Sequence, residues 1–264
     1  MSIERGSEYV AMGSSFAAGP GLRPRTGGAP RASGRSDSNY AHIAARRLGL
    51  SLTDVTFSGA TTADILEGSR NRVAQIDAVT DATRLVTVTA GGNDIGYLPA
   101  LTFASFPWPA RSLPALRHRV TGFVDAVAMS GRFADLGTNL ATLVAKVQER
   151  APEARIVLVD YLTILPPKAS MGARLDTLRS NPGGDLVAWG RGVADRLSDT
   201  FASVASAANC DFLDVGLQSK DHHAWSPSPW TRQFHLSLRG GAPYHPNAEG
   251  MIAVADMLMR KLGR

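Results

Sequence analysis

Short apolar runs rich in β-branched residues alternate along the whole chain with longer stretches of helical periodicity. This alternation predicts parallel strands joined by helical crossovers. Three of the runs are almost continuously apolar, as strands buried on both faces should be. The 264 residues, of which 44% are hydrophobic, suffice for one sizeable core. The predicted strands are Glu8–Met12, Asp54–Phe57, Arg84–Thr89, Arg155–Asp160 and Asp211–Val215, and the predicted helices are Tyr40–Leu48, Thr62–Ala78, Gly122–Arg150, Asp185–Ala208 and Asn247–Leu262.

Charge and cysteine content exclude several classes of protein. The formal net charge is +5, but the arginines are scattered, and no basic stripe or module typical of nucleic-acid binding appears. Solvated arginine is favoured over a basic face toward anionic substrates or membrane surfaces. Cys210 is the only cysteine, so no intramolecular disulfide can form. His222 and His223 are adjacent, unlike the i, i+4 pair of a helical zinc site, and we expect no metal.

The amino terminus, Met1–Ser7, carries no apolar segment of the signal-peptide type. No apolar run in the sequence is long enough to span a bilayer. We therefore expect a cytoplasmic protein without stable membrane insertion, with a secreted mature form as the alternative.

A serine follows the first predicted strand. The apolar run Tyr9–Met12 leads into Gly13, Ser14 and Ser15, and Gly19 follows four residues later. Open α/β sheets place their chemistry at the carboxyl ends of strands, where Ser15 would expose its hydroxyl. Taken alone, the pattern fits a plain helix N-cap serine better.

Three further residues suit the chemistry of an activated serine. Asn93 follows a predicted strand and Gly92, and its amide could stabilise an oxyanion, although asparagine is also common in turns. Gly59 could aim a backbone N–H at the same oxygen, or mark only a turn. His245 precedes the last predicted helix and could take the proton of Ser15, although a lone histidine is usually structural.

Three long segments interrupt the alternation, namely Gly19–Ser38, Tyr97–Leu116 and Gln218–Pro243. Long loops in compact domains are usually functional or disordered, and we interpret these as walls of the site. Aromatic residues of the second segment would suit an apolar acyl pocket, although packing over the core explains them equally well. They are Phe103, Phe106 and Trp108.

Together, in this order and spacing, the blocks resemble the SGNH (GDSL-type) hydrolase family of esterases and lipases. The resemblance extends from Tyr9 to about Gly250. Gly13–Gly19 resembles the nucleophile block, Gly59 the second block, Gly91–Asp94 the third and His245–Asn247 the last. The resemblance implies a three-layer α/β/α, flavodoxin-like fold with a five-stranded parallel sheet. We expect it to form a single domain over residues 1–264 without a cofactor.

The resemblance also implies roles for individual residues. Ser15 would be the nucleophile and His245 the base, and the oxyanion hole would comprise the N–H groups of Ser15 and Gly59 with the Asn93 side chain. The implied activity is hydrolysis of carboxylic esters, of small molecules or lipids, through an acyl-enzyme. A thioesterase or a carbohydrate O-deacetylase is the alternative on the same machinery, and a non-catalytic binding protein is a less favoured class.

Two positions depart from the family pattern. Ser14 stands where an aspartate usually precedes the nucleophile, at a position without a catalytic role. Ala242 stands where the acidic member usually lies, three residues before His245. Because something must orient the imidazole, we predict that the main-chain carbonyl of Ala242 accepts from His245 Nδ1–H. The alternative carboxylates are Asp214, Asp221 and Glu249.

Overall fold

The computed structural model describes residues 3–70, 72–106, 113–167, 185–236 and 241–263. Five strands form one sheet in the order β2-β1-β3-β4-β5, and every neighbouring pair is parallel. This is the strand order of flavodoxin-like folds, as predicted. The strands are β1 (Glu8–Gly13), β2 (Ser51–Asp54), β3 (Thr83–Thr89), β4 (Arg155–Val159) and β5 (Asp211–Leu213).

Helices cover both faces of the sheet and complete the three layers. The helices α2 (Tyr40–Leu48) and α9 (Ala248–Lys261) pack against each other. In a separate group, α6 (Ala126–Arg150) packs against both α3 (Thr62–Glu67) and α7 (Leu186–Ala207). None of the helices within the described ranges has the length and apolar character needed to cross a membrane. The helices are α1 (Ser15–Ala18), α2 (Tyr40–Leu48), α3 (Thr62–Glu67), α4 (Tyr97–Ala104), α5 (Pro114–Val124), α6 (Ala126–Arg150), α7 (Leu186–Ala207), α8 (Val215–Gln218) and α9 (Ala248–Lys261).

The second strand differs from its prediction. It spans Ser51–Asp54, whereas the predicted range was Asp54–Phe57. The prediction followed an apolar run, but this edge strand is largely exposed and does not need one. The Asp54 carboxylate accepts from Thr56 N–H at 2.9 Å and starts the turn away from the sheet. Val55 and Phe57 still donate their N–H groups to the end of β1.

Two helical segments also differ from prediction. The helix predicted over Thr62–Ala78 ends at Glu67, since Gly68 has a φ of +73° and leads into a tight hairpin before a short 3₁₀ turn at Gln75–Ala78. The predicted loop Tyr97–Leu116 contains α4 and the start of α5. The helix α4 buries Tyr97, Leu98 and Leu101, apolar residues of the segment that sequence reasoning assigned to a wall.

The carboxyl ends of β1 and β3 meet where the predicted nucleophile lies. Gly13 pairs with Thr89 in the parallel register. A side chain at Gly13 would overlap the Thr89 carbonyl, and its φ of +145° also disfavours other residues. The glycine thus lets the chain turn sharply into α1 at the centre of the sheet edge.

Candidate active site

Ser15 is the first residue of α1 and follows β1 after one intervening residue. Ser14 N–H donates to the Thr89 carbonyl at 2.9 Å, which ties the turn to β3. The Gln75 side chain accepts from Gly13 N–H at 2.7 Å and donates to Gly13 O at 3.0 Å. The turn that carries Ser15 is therefore held by a main-chain contact to β3 and by the side chain of Gln75.

The structure brings His245 onto Ser15 from the other end of the chain. The Nε2 atom of His245 lies 2.6 Å from Ser15 Oγ. The Nδ1 atom lies 2.7 Å from the carbonyl oxygen of Pro243. Because a carbonyl can only accept, Nδ1 carries the proton and Nε2 is free to accept from the serine hydroxyl.

The carbonyl that orients the imidazole belongs to Pro243, so the prediction for Ala242 was wrong. Ala242 O instead accepts from His245 N–H at 3.4 Å and closes a β-turn. Pro243 and Tyr244 are the central residues of this turn, and Tyr244 has a φ of +62°. These are features of a type II turn. The Ala242 oxygen is occupied by the turn itself, and the next carbonyl faces Nδ1.

The alternative carboxylates do not replace this carbonyl. Asp214 accepts from Leu217 N–H at 2.8 Å and caps α8. Asp221 and Glu249 are exposed, and in the described part of the chain no carboxylate bonds to the His245 ring. The arrangement at the site is thus a serine–histidine pair oriented by a main-chain dipole.

Burial and a nearby cation keep the imidazole neutral. Desolvation by the protein around the ring, together with the positive charge of Arg232, lowers the pKa of His245 to about 4, and the bond to Pro243 opposes this shift only in part. Arg232 N–H donates to His245 O at 2.9 Å, and its Nη1 donates to Pro246 O at 2.6 Å. His245 can therefore accept a proton throughout the neutral range.

Asn93 and Gly59 follow β3 and β2, the two strands that flank β1. The Asn93 amide donates to the carbonyl of Ala60 at 2.9 Å, which places it beside Gly59, and retains a second N–H. Gly59 has a φ of +79°, and a Cβ at this position would meet only Arg72 Nη2, at 3.7 Å. Within the described ranges, no hydrogen bond uses the N–H groups of Ser15 or Gly59. Three donors with free N–H groups thus follow three adjacent strands, and their role as an oxyanion hole stays a prediction.

Sequence reasoning missed Tyr161, which connects two of the blocks. Its hydroxyl accepts from Gly92 N–H at 2.9 Å, and its ring centroid lies 4.6 Å from that of Phe16. Burial raises the pKa of the phenol, while hydrogen bonds to Ser14 and Gly92 oppose the shift. The available signal was a polar aromatic residue directly after the fourth strand.

Two of the three predicted acyl-pocket residues belong to an aromatic cluster that extends to Tyr244. Phe106 lies 6.5 Å from Phe103 and 5.5 Å from Phe234, and Phe234 lies 6.5 Å from Tyr244, measured between ring centroids. The Tyr244 hydroxyl lies 2.5 Å from Ser105 Oγ. Trp108 lies outside the described residues. The cluster adjoins His245, and its role as an acyl pocket stays a prediction.

Comparisons with known proteins agree with this geometry. Residues 11–252 match the model of the GDSL-like lipase/acylhydrolase family. Lipase 2 of Streptomyces coelicolor is 33% identical over 263 residues, which cover 97% of this chain and 86% of that protein.

Solved structures show the same fold. The extracellular lipase of Streptomyces rimosus (TM-score 0.71) and phospholipase A1 of Streptomyces albidoflavus NA297 (TM-score 0.75) are each 23% identical, and each alignment covers 97% of this chain and 99% of the other. No group of three or more metal-ligating side chains occurs within the described ranges. The chain belongs to the GDSL-like lipase/acylhydrolase family of serine-based carboxylic ester hydrolases.

Proposed function

We propose that this hydrolase forms its acyl-enzyme on Ser15, with His245 as the general base. The supporting observation is the distance of 2.6 Å between His245 Nε2 and Ser15 Oγ, within the reach of direct proton transfer. Removal of the hydroxyl proton makes the serine oxygen nucleophilic as it attacks the ester carbonyl.

The oxyanion formed by this attack is stabilised by the N–H groups of Ser15 and Gly59 and by the Asn93 amide. These donors are set by turns before substrate arrives, so little reorganisation is needed as charge develops. His245 then donates its proton to the leaving alcohol. In the second half of the reaction, water gives a proton to His245 and releases the acid.

Pro243 fulfils the orienting function of the usual carboxylate. Its carbonyl fixes the tautomer of His245 through the bond at 2.7 Å. A dipole stabilises the imidazolium less than a full charge does, and Arg232 opposes the positive charge further. The proposed enzyme thus relies on geometry at this position more than on charge.

The acyl chain lies along the aromatic cluster in this proposal. The relatives that are named lipases support carboxylic esters as the substrates of this enzyme. Hydrolysis of thioesters or O-deacetylation of carbohydrates stays the alternative.

A cytoplasmic location and the absence of a nucleic-acid partner stay predictions. The extracellular lipase of Streptomyces rimosus supports secretion as the alternative. Assays of ester hydrolysis in separated cells and medium would test it.

Covalent labelling tests the assignment of Ser15. A fluorophosphonate should add one adduct to the wild type, which peptide mapping places on Ser15, and Ser15→Ala should lose about 10⁶-fold in kcat along with the label. Ser14→Ala is the matched control, since it changes the adjacent serine and should keep the label. Normal turnover by folded Ser15→Ala would refute the assignment, and selective hydrolysis of thioesters would favour the alternative.

A further inference from the structure

Gly59, whose N–H belongs to the proposed oxyanion hole, lies in a tight turn between β2 and α3. Ala60 N–H donates to Phe57 O at 3.0 Å, which makes Gly59 the third residue of this turn, and a φ of +79° there is typical of a type II turn. Among the residues that the structure describes, the main-chain bonds of residues 59–62 stay within this segment and α3. Side chains must therefore link the segment to the rest of the site.

Two neighbouring side chains of the turn after β3 make this link. The Asn93 amide donates to Ala60 O at 2.9 Å. The Asp94 carboxylate accepts from Thr62 N–H, at 2.9 Å to Oδ1 and 3.2 Å to Oδ2, and also from the Thr62 hydroxyl. One side chain thus donates to the segment, and the next accepts from it two residues further on.

The turn that carries Asn93 and Asp94 is fixed by its own main chain. Ile95 N–H donates to Gly91 O at 3.2 Å, and Gly96 N–H donates to Asn93 O at 3.2 Å. These bonds follow directly on β3, so the sheet sets the position of the turn. The Asp94 side chain therefore reaches from a well-anchored turn to a segment whose main chain has only local bonds.

The partly buried carboxylate of Asp94 pays a cost in solvation. Desolvation raises the pKa of Asp94, and the negative charge of Asp64 adds to the shift, while the hydrogen bonds from Thr62 oppose it. A desolvated carboxylate is a poor source of net stability. It does provide short, directional, charge-assisted hydrogen bonds, which fix the groups that donate to it.

We propose that Asp94 is a positioning residue for the oxyanion hole, holding Gly59 N–H at the distance from the Asn93 amide at which both can bind one oxygen. The inference rests on the proposed function, because it takes these two groups as oxyanion donors. Asp94 itself does not contact the substrate in this account. Its effect on catalysis is through geometry, since a displacement of about 1 Å in a preorganised site can cost about 10²-fold in rate.

Removal of the carboxylate tests the proposal. Asp94→Ala should lower kcat about 10–100-fold with little change in KM, because oxyanion donors act mainly on the transition state. Asp64→Ala is the matched control, since Asp64 is the other carboxylate at the start of α3 and accepts from Thr61 N–H at 2.9 Å. It should lower the melting temperature and keep a kcat close to that of the wild type. A wild-type kcat in folded Asp94→Ala would overturn the proposal.

Two conservative variants separate position from charge, and they decide the question even if Asp94→Ala does not fold. Asp94→Asn keeps an acceptor oxygen at the same place without the charge, so kcat should stay within about threefold of the wild type. Asp94→Glu keeps the charge but lengthens the side chain by one methylene, and it should lower kcat about tenfold. The reverse order of the two kcat values would assign the effect to charge and would overturn the proposal.

A double-mutant cycle separates this inference from the proposed function. If Asp94 acts through the oxyanion donors, Asp94→Ala should lower kcat by at most about threefold when Asn93 is already replaced by alanine. A wild-type kcat for Asn93→Ala alone would contradict the proposed oxyanion hole. Losses that occur in both single variants and multiply in the double variant would contradict the role of Asp94 by itself.

Discussion

The two sides of the active site are built by different means. The serine side, which comprises Ser15, Gly59 and Asn93, consists of turns that follow three neighbouring strands. The histidine side, which comprises Pro243, Tyr244 and His245, ends a long segment after β5. In its described part this segment contains only short helices and an isolated bridge between Thr231 and Pro246.

Main-chain contacts hold most of the serine side. Ser14 bonds to Thr89 O, and Phe57 N–H bonds to Gly13 O at 3.0 Å. Gly13 and Gly59 adopt positive φ values that other residues rarely take. The sheet thus sets where the nucleophile lies, and the side chains of Gln75 and Tyr161 secure Gly13 and Gly92 beside it.

Side-chain contacts add to the main-chain bonds that hold the histidine side. Tyr244 takes a φ of +62°, which in a residue with a side chain costs about 1–3 kcal/mol. Its ring is only 1% exposed, and its hydroxyl bonds to Ser105 at the end of α4. Contacts far apart in sequence therefore stabilise the turn that presents Pro243 O to His245. The comparison predicts that loss of a remote hydroxyl costs more catalysis at the histidine side, where that hydroxyl secures a strained turn.

Among the variants that keep Ser15, the largest effect is expected at the serine side. Asn93→Ala should lower kcat about 10²–10³-fold, because it removes one preorganised oxyanion donor. KM should change less, since the donor acts mainly on the transition state. Asn139→Ala is a suitable control, as this asparagine bonds to Thr62 at 3.1 Å. A wild-type kcat for Asn93→Ala would show that Asn93 is only a turn residue.

The aromatic cluster should affect substrate choice. Phe106→Ala should reduce kcat/KM for octanoyl esters relative to butyryl esters about tenfold, since loss of apolar lining weakens recognition of added methylenes. Phe103→Ala should act in the same direction. The half-buried Phe212 of β5 provides the control substitution. A lower melting temperature without a change of chain-length preference would show that the cluster only packs against the core.

A pair of tyrosine variants tests the comparison itself. Tyr244→Phe should lower kcat about three- to tenfold, because it removes one hydrogen bond that secures the strained turn. Tyr40→Phe is matched to it, since Tyr40 is also 1% exposed and bonds to Thr89 at 3.0 Å. It should lower stability while leaving kcat nearly unchanged. Equal losses of kcat in the two variants would contradict the proposed difference between the sides.

The smallest effects are expected for the carboxylates near the histidine side. Removal of a true triad carboxylate can cost about 10⁴-fold in kcat. If Pro243 O orients His245, then Asp214→Asn, Asp221→Asn and Glu249→Gln should each leave kcat largely intact. Measured kcat values decide this point, and a loss of several orders of magnitude in one variant would identify a rearranged triad.

The difference between the two sides also explains what sequence reasoning could predict. Most strands and helices and the position of Ser15 follow from local patterns, since apolar runs and glycine turns are encoded by adjacent residues, whereas the three layers and the flavodoxin-like sheet were implied by the family resemblance. The predicted hydrogen-bond partner of His245 Nδ1 was wrong by one residue. The choice between the carbonyls of Ala242 and Pro243 depends on the φ of Tyr244, which no local pattern predicts.

Contacts between distant residues set that angle, and no local pattern reports them. Tyr161 and Gln75 were missed for the same reason, as each acts on a glycine more than 60 residues away. The single domain over residues 1–264 stays a prediction.

A crystal structure of the fluorophosphonate adduct would test the central claim most directly. We predict phosphorus on Ser15 Oγ, with the phosphonyl oxygen about 2.7–3.1 Å from Ser15 N, Gly59 N and Asn93 Nδ2. His245 Nδ1 should remain hydrogen-bonded to the Pro243 carbonyl. An adduct on another residue, or a carboxylate at Nδ1 with that carbonyl turned away, would contradict the account.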